Sequence, residues 1–223
     1  MDSQYESLKI VLIGEAGVGK TSIISQFIEK SFQEDIESSV GGSFSSKTLI
    51  VDDNQLLNLE IWDTAGQERY RSLTKMFYKE VSSAVLVYDI TRKDSFEQIK
   101  EFWINQVKEF GPSGLILVLC ANKSDLVKEE RVDEEEARNY AKEIGALFCS
   151  TSAKKSYGIS DLFLQIAKKY SGKDNIRIQN KENDIPIDDI KYQNDRANKK
   201  GSVKITNANN KEKEKKKKCC WYK

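Results

Sequence analysis

The chain has 223 residues, 39% of them hydrophobic, enough for one buried core and a tail. Its formal charge of +1 conceals a split: residues 171–223 are net +7 and the remaining 170 are net −6, which argues against broad nucleic-acid binding by the folded part. The absence of histidine excludes Ser-His-Asp chemistry and histidine metal ligation, and no run approaches the roughly 18 apolar residues of a membrane span.

The first residues, Met1-Asp2-Ser3-Gln4-Tyr5-Glu6, are polar and lack the apolar stretch of a signal peptide, which implies a cytosolic protein. Strand signals then follow at Leu8–Ile13, Lys47–Val51, Leu56–Trp62, Ala84–Tyr88, Leu115–Ala121 and Ala146–Ser150. The fourth and fifth are nearly continuous apolar runs, as parallel strands buried on both faces should be. Asp52-Asp53-Asn54 reads as a hairpin turn between the second and third. Helix signals lie at Gly19–Glu29, Tyr70–Phe77, Ser95–Phe110, Glu134–Ile144 and Ile159–Tyr170. Asp133 with Glu136 reads as a capping box, and Gly145 as that helix's stop. Trp103, between Phe102 and Phe110, reads as core packing rather than a ligand contact. Cys120 and Cys149, in apolar strand-like runs, read as inert buried thiols.

This alternation predicts an α/β fold, with a six-stranded, mostly parallel, doubly wound sheet and helices on both faces. Ligands bind such sheets at the carboxyl ends of the strands. From Gly172 onward Asn, Lys, Asp and Glu dominate. That predicts a folded domain over 6–171 and a disordered basic tail over 172–223.

Three elements of chemistry follow strand ends. The first is Gly14-Glu15-Ala16-Gly17-Val18-Gly19-Lys20-Thr21, with the spacing G-x-x-x-x-G-K-T between a strand and a helix. Its glycines let the backbone curl around an anion, so the amides of residues 15–20 and of Thr21 and Ser22 can point inward, aided by the helix's positive end. Lys20 can reach the β- and γ-phosphates, and the Thr21 hydroxyl can ligate Mg²⁺. The second element, Trp62-Asp63-Thr64-Ala65-Gly66-Gln67-Glu68, places a carboxylate where it can hold Mg²⁺ through water. Gly66 offers an unencumbered amide to a γ-phosphate, and Gln67 has both the donor and the acceptor that orienting a water requires. The third is Asn122-Lys123-Ser124-Asp125. A carboxylate at Asp125 can accept from both N1–H and the exocyclic amine of guanine, a pair that adenine lacks. Ser152-Ala153-Lys154 follows the sixth strand, where the Ala153 amide could meet guanine O6.

With these three elements in this order, the chain resembles small Ras-like GTPases over about residues 6–170. Ile61–Thr74, Leu86-Val87-Tyr88-Asp89-Ile90-Thr91 and the tail make it most similar to the Rab family. Glu37–Phe44 in the switch I position, with Asp52-Asp53 and Val132-Asp133, resembles the endosomal branch. The resemblance implies a GTPase switch in vesicle traffic that binds GTP or GDP with Mg²⁺. It implies that Phe32 stacks beside guanine, with Leu126 close by, and that Phe44, Trp62 and Phe77 form an effector-reading patch. It also implies an exchange factor, a GAP, effectors, a GDP-dissociation inhibitor and a Rab escort protein. Ser39 fills the place of the usual threonine Mg²⁺ ligand and lacks the methyl group that restricts χ1. Ala16 stands close to the expected Gln67 position, which implies slow intrinsic turnover, and no arginine finger is identifiable in the chain. Phe77–Val81 departs from the Y-Y-R-G-A of many Rabs. An alternative reading is a nucleotide-stabilised binding module with little or no turnover.

The chain ends with Lys215–Lys218, Cys219, Cys220 and three further residues. Adjacent thiols after four lysines resemble the double geranylgeranylation site of Rab proteins. Cys220-Trp221-Tyr222-Lys223 is a poor C-a-a-X box. The implied location is the cytosolic face of an endosomal membrane, held by lipid.

Overall fold

The computed structural model describes residues 6–34, 42–52, 55–64, 77–78 and 80–179. Seven strands form one sheet in the order β6-β5-β4-β1-β3-β2-β7. They are β1 (Glu6–Ile13), β2 (Gly42–Val51), β3 (Gln55–Thr64), β4 (Ser83–Asp89), β5 (Ile116–Asn122), β6 (Leu147–Ser150) and β7 (Ile176–Ile178). β1 lies between β3 and β4, parallel to both, and β4, β5 and β6 continue in parallel. All seven residues of β4 are buried, which is what its unbroken apolar run predicts for a strand covered on both faces. β2 runs antiparallel to β3, Val51 opposite Gln55, as a hairpin requires; Asp53 and Asn54 of the predicted turn lie outside the described residues.

Two differences from the sequence reading concern length. β2 begins at Gly42 rather than Lys47, because pairing with β3 supplies the hydrogen bonds that its Ser-rich first half does not advertise. The sheet has seven strands, not six. β7 lies within the segment read as disordered from Gly172, and pairs antiparallel with Leu49–Val51. Ile176 is buried there, and Lys173 reaches Asp52 at 3.4 Å. Three residues have no periodicity to read; only the open edge of β2 makes them a strand.

The helices are α1 (Lys20–Glu29), α2 (Lys93–Gln98), α3 (Ile104–Phe110), α4 (Glu134–Glu143) and α5 (Ile159–Ser171). The predicted single helix over Ser95–Phe110 is helical throughout, but a π-helical turn at Ile99–Trp103 separates α2 from α3. The predicted helix at Tyr70–Phe77 lies outside the described residues except for Phe77. Asp133 caps α4 by accepting from the Glu136 amide at 2.9 Å. The Glu136 carboxylate faces Lys100 at 3.3 Å. Trp103 is fully buried among Tyr88, Phe96, Ile99 and Val107, in the core as expected. Phe27 of α1 stacks on Phe163 of α5, ring centres 4.0 Å apart, locking α1 across the other face. Among the described residues no helix is long and apolar enough to cross a membrane.

Candidate functional site

The loop joining β1 to α1 opens where the strand order diverges from β1 toward β3 and β4, the crevice at which open α/β sheets bind ligands. α1 starts without a side-chain cap and without an acidic residue in its first turn, unlike α4, which has both. Its first amides and its positive dipole end therefore face the loop unneutralised, which suits an anion.

Two glycines make the loop possible. A Cβ on Gly14 would lie 2.2 Å from the Val87 carbonyl oxygen. Gly19, at φ +94°, would place a Cβ 2.3 Å from the amide nitrogen of Asn122. Asn122 comes that close because its Nδ2 donates to the Val18 carbonyl at 2.8 Å, while its Oδ1 accepts from Thr151 Oγ1 at 3.1 Å. Its buried amide thus ties the phosphate loop to the ends of β5 and β6.

Lys20 is 5% exposed, and its ammonium donates to the Gly14 and Glu15 carbonyls, both at 2.9 Å. Burial lowers its pKa to about 8 despite the nearby Asp63 and Glu15 carboxylates. Thr21 Oγ1 donates to Asp63 Oδ2 at 2.6 Å, joining the first element to the second. A hydroxyl and a carboxylate are the hard oxygen donors that Mg²⁺ takes. No group of three or more His, Cys, Asp or Glu gathers among the described residues. The remaining ligands would then be phosphate oxygens, water and any side chain supplied from outside the described residues, in keeping with the habit of this ion. Ser39, Gly66 and Gln67 lie outside the described residues.

At the far end of the crevice, Asp125 Oδ1 accepts from Ser152 Oγ at 2.6 Å, and the same hydroxyl accepts from the Lys155 amide at 3.0 Å. A carboxylate retains acceptor capacity beyond that one bond, enough for two donors on a ligand edge. Lys123 adopts a left-handed φ of +62°, with its ammonium 2.7 Å from Asp89 Oδ2. Asp89 Oδ1 in turn accepts from the Thr91 amide and hydroxyl. Backbone strain of this kind persists only where surrounding contacts over-determine it. Ala153 is buried, Leu126 and Phe32 are half-buried, and Lys154 pairs with Glu34 across the opening.

The aromatic trio is also brought together. Phe44 lies opposite Trp62 in the β2–β3 register, ring centres 4.9 Å apart, and Trp62 lies 5.6 Å from Phe77. Phe44 is 51% exposed, which makes this a surface patch. Cys120 and Cys149 are buried free thiols; burial pushes Cys120 up to about 12 and Cys149 higher still, which leaves both inert. Cys219 and Cys220 lie outside the described residues.

Sequence reasoning missed the residues that hold these groups in place. Trp103, besides its core role, donates its indole N–H to Glu15 Oε1 at 3.1 Å. Arg92 donates to the Ala16 carbonyl at 2.9 Å. Thr151, Asp89 and Glu34 have no motif of their own. In the sequence Asp89 is marked only as part of a Rab-like stretch, and the signal for its role and for Arg92 is their place at and just beyond the end of β4, at the crevice.

A sheet switch point carrying a glycine-rich loop before an uncapped helix, an oxygen-donor pair and a carboxylate with acceptor capacity to spare has the architecture of a P-loop G domain. A family model described as "Ras family" matches residues 9–172. The chain is 44% identical over 162 residues to GTP-binding protein ypt5 of Schizosaccharomyces pombe, covering 72% of this chain and 76% of that one. It is 40% identical over 167 residues to Ras-related protein Rab-22A of Homo sapiens, covering 75% and 85%. It is 42% identical over 167 residues to Ras-related protein Rab5A of Oryza sativa subsp. japonica, covering 75% and 81%. The chain belongs to the Ras family of small GTPases, within its Rab group, and is a GTPase switch of vesicle traffic. Members bind GTP, GDP and Mg²⁺, work with regulators and effectors, and associate with the cytosolic face of membranes.

Proposed function

We propose that the described site binds GTP through a specific division of labour and that the switch acts on endosomal membranes. The amides of Glu15–Lys20, Thr21 and Ser22 cradle the phosphates, and Lys20 neutralises the β- and γ-phosphates. Thr21, Ser39 and Asp63 hold Mg²⁺, which when bound neutralises charge on the phosphates. Gln67 orients the attacking water, and the Gly66 amide meets the γ-phosphate. Asp125 accepts from guanine N1–H and the exocyclic amine, and the Ala153 amide meets O6. Phe32, Leu126 and the stem of Lys154 pack about the ring. Asn122 and Lys123 hold the base loop against the phosphate loop, and Ser152 aims the Asp125 carboxylate.

The observation that carries the guanine assignment is the Ser152–Asp125 hydrogen bond. It fixes one oxygen and presents the carboxylate to a two-donor edge. Adenine would leave that half-buried acceptor unmatched, at a cost of up to about 10⁴-fold in discrimination. Displacement of bound GDP by GTP but not ATP tests this, and ATP competing equally would refute it. In Asp125→Asn the new amide donates where the carboxylate accepted, so preference should move toward xanthine nucleotides.

Residues 6–171 form the catalytic domain in this reading, and the chain from 172 is a basic tail rooted by β7. Cys219 and Cys220 carry prenyl groups, with Lys215–Lys218 beside the anionic leaflet. Phe44, Trp62 and Phe77 meet effectors. An exchange factor, a GAP, a GDP-dissociation inhibitor and a Rab escort protein complete the cycle. The resemblance to ypt5, Rab-22A and Rab5A supports the endosomal assignment, and imaging the tagged chain against organelle markers tests it.

A further inference from the structure

Three consecutive carbonyls of the phosphate loop each accept a hydrogen bond from a cationic side chain. Lys20 takes those of Gly14 and Glu15, and Arg92 takes that of Ala16 at 2.9 Å. Arg92 is well placed to do this firmly. Its amide donates to the Asp89 carbonyl, and its own carbonyl accepts from the Ser95 amide and, at 2.6 Å, the Ser95 hydroxyl. The second guanidinium nitrogen pairs with Asp94 Oδ2 at 2.7 Å, holding the planar group edge-on to the loop. The nitrogen bound to Ala16 also lies 3.7 Å from the point a Gly17 Cβ would occupy, so it flanks the exposed apex of the loop.

In a trans peptide the carbonyl and the following N–H point in opposite directions. The described backbone has no cis peptide. Fixing the Ala16 carbonyl outward therefore fixes the Gly17 N–H inward, toward the cradle. Gly17, at φ +75° with no side chain, has little else to hold its peptide plane. We infer that Arg92 is a positioning residue of the phosphate site: it orients the Gly17 amide toward the terminal phosphates of the bound nucleotide, with Asp94 steadying it. The inference rests on the loop being the phosphate site. It adds to that site a side chain from the β4–α2 connection that no phosphate-loop motif includes.

The test uses the full chain loaded with fluorescent GDP, in Arg92→Gln and Arg92→Lys variants. It compares GDP release with displacement by GMP, which carries the base and first phosphate but not those that reach the apex. A charged donor to a half-exposed carbonyl should be worth about fivefold to tenfold in GDP release, with GMP affinity changed less than about twofold. Arg92→Lys should recover most of the loss, since an ammonium can donate to the same carbonyl. Unchanged GDP release in Arg92→Gln would overturn the inference. Equal losses for GMP and GDP would also overturn it, because a merely structural contact would weaken both alike. Failure of the unaltered chain to retain GDP would instead overturn the reading of the loop itself, and this inference with it.

Discussion

Raising the pH from 7 to 9 should weaken GDP binding and at the same time stabilise the nucleotide-free protein, and both effects trace to Lys20. Its ammonium is almost fully buried, satisfied by the carbonyls of Gly14 and Glu15, and burial lowers its pKa to about 8. Phosphates favour the charged form, so binding above that pKa requires taking up a proton. About one-tenth of Lys20 is neutral at pH 7 and about nine-tenths at pH 9, which predicts a roughly tenfold loss of affinity, about 1.4 kcal/mol. Stability runs the other way. The folded pKa lies below the ordinary 10.5, so burying the charged amine is a cost present in full below pH 8. That cost is relieved between pH 8 and 10.5, by about 3 kcal/mol at most. Calorimetry in buffers of different ionisation enthalpy measures the proton uptake, and denaturant melts of nucleotide-free protein measure the stability. Guanine itself loses its N1 proton in alkali, so Lys20→Met is the control and should bind weakly with a flatter profile. GDP affinity that is flat from pH 7 to 9, with no proton uptake near pH 8, would refute the reasoning.

Gly19→Ala should speed GDP release and lower stability by about 2–4 kcal/mol, since its Cβ would strike Asn122 at a positive φ and break the bond to Val18; a wild-type melt and release rate would count against it. Gln67→Leu should slow GAP-stimulated, single-turnover GTP hydrolysis by orders of magnitude with GDP affinity nearly unchanged, because the amide acts on the water in the transition state. An unchanged rate would remove Gln67 from the mechanism. Cys219→Ser with Cys220→Ser should leave nucleotide binding intact and release the protein from membranes, read by fractionation, since durable anchoring needs more than one signal.

The phosphate loop, the Asp63 strand and the Asn122–Asp125 loop were legible in the sequence because each is a short run with its chemistry packed into adjacent residues. The buried strands β4 and β5 were legible for a related reason: continuous apolar runs are a local signal of burial on both faces. The sequence by itself therefore determined the short motifs from which the proposed nucleotide site is built, and the Ras-like fold on which they sit. What holds those groups was decided only by tertiary structure. Asn122 reaches back 104 positions to Val18, Trp103 reaches 88 to Glu15, and Arg92 reaches 76 to Ala16. β7 exists only because β2 offers it an unpaired edge. Such contacts leave no periodicity or spacing in the chain, since they depend on a sheet order that places β1 between strands distant in sequence.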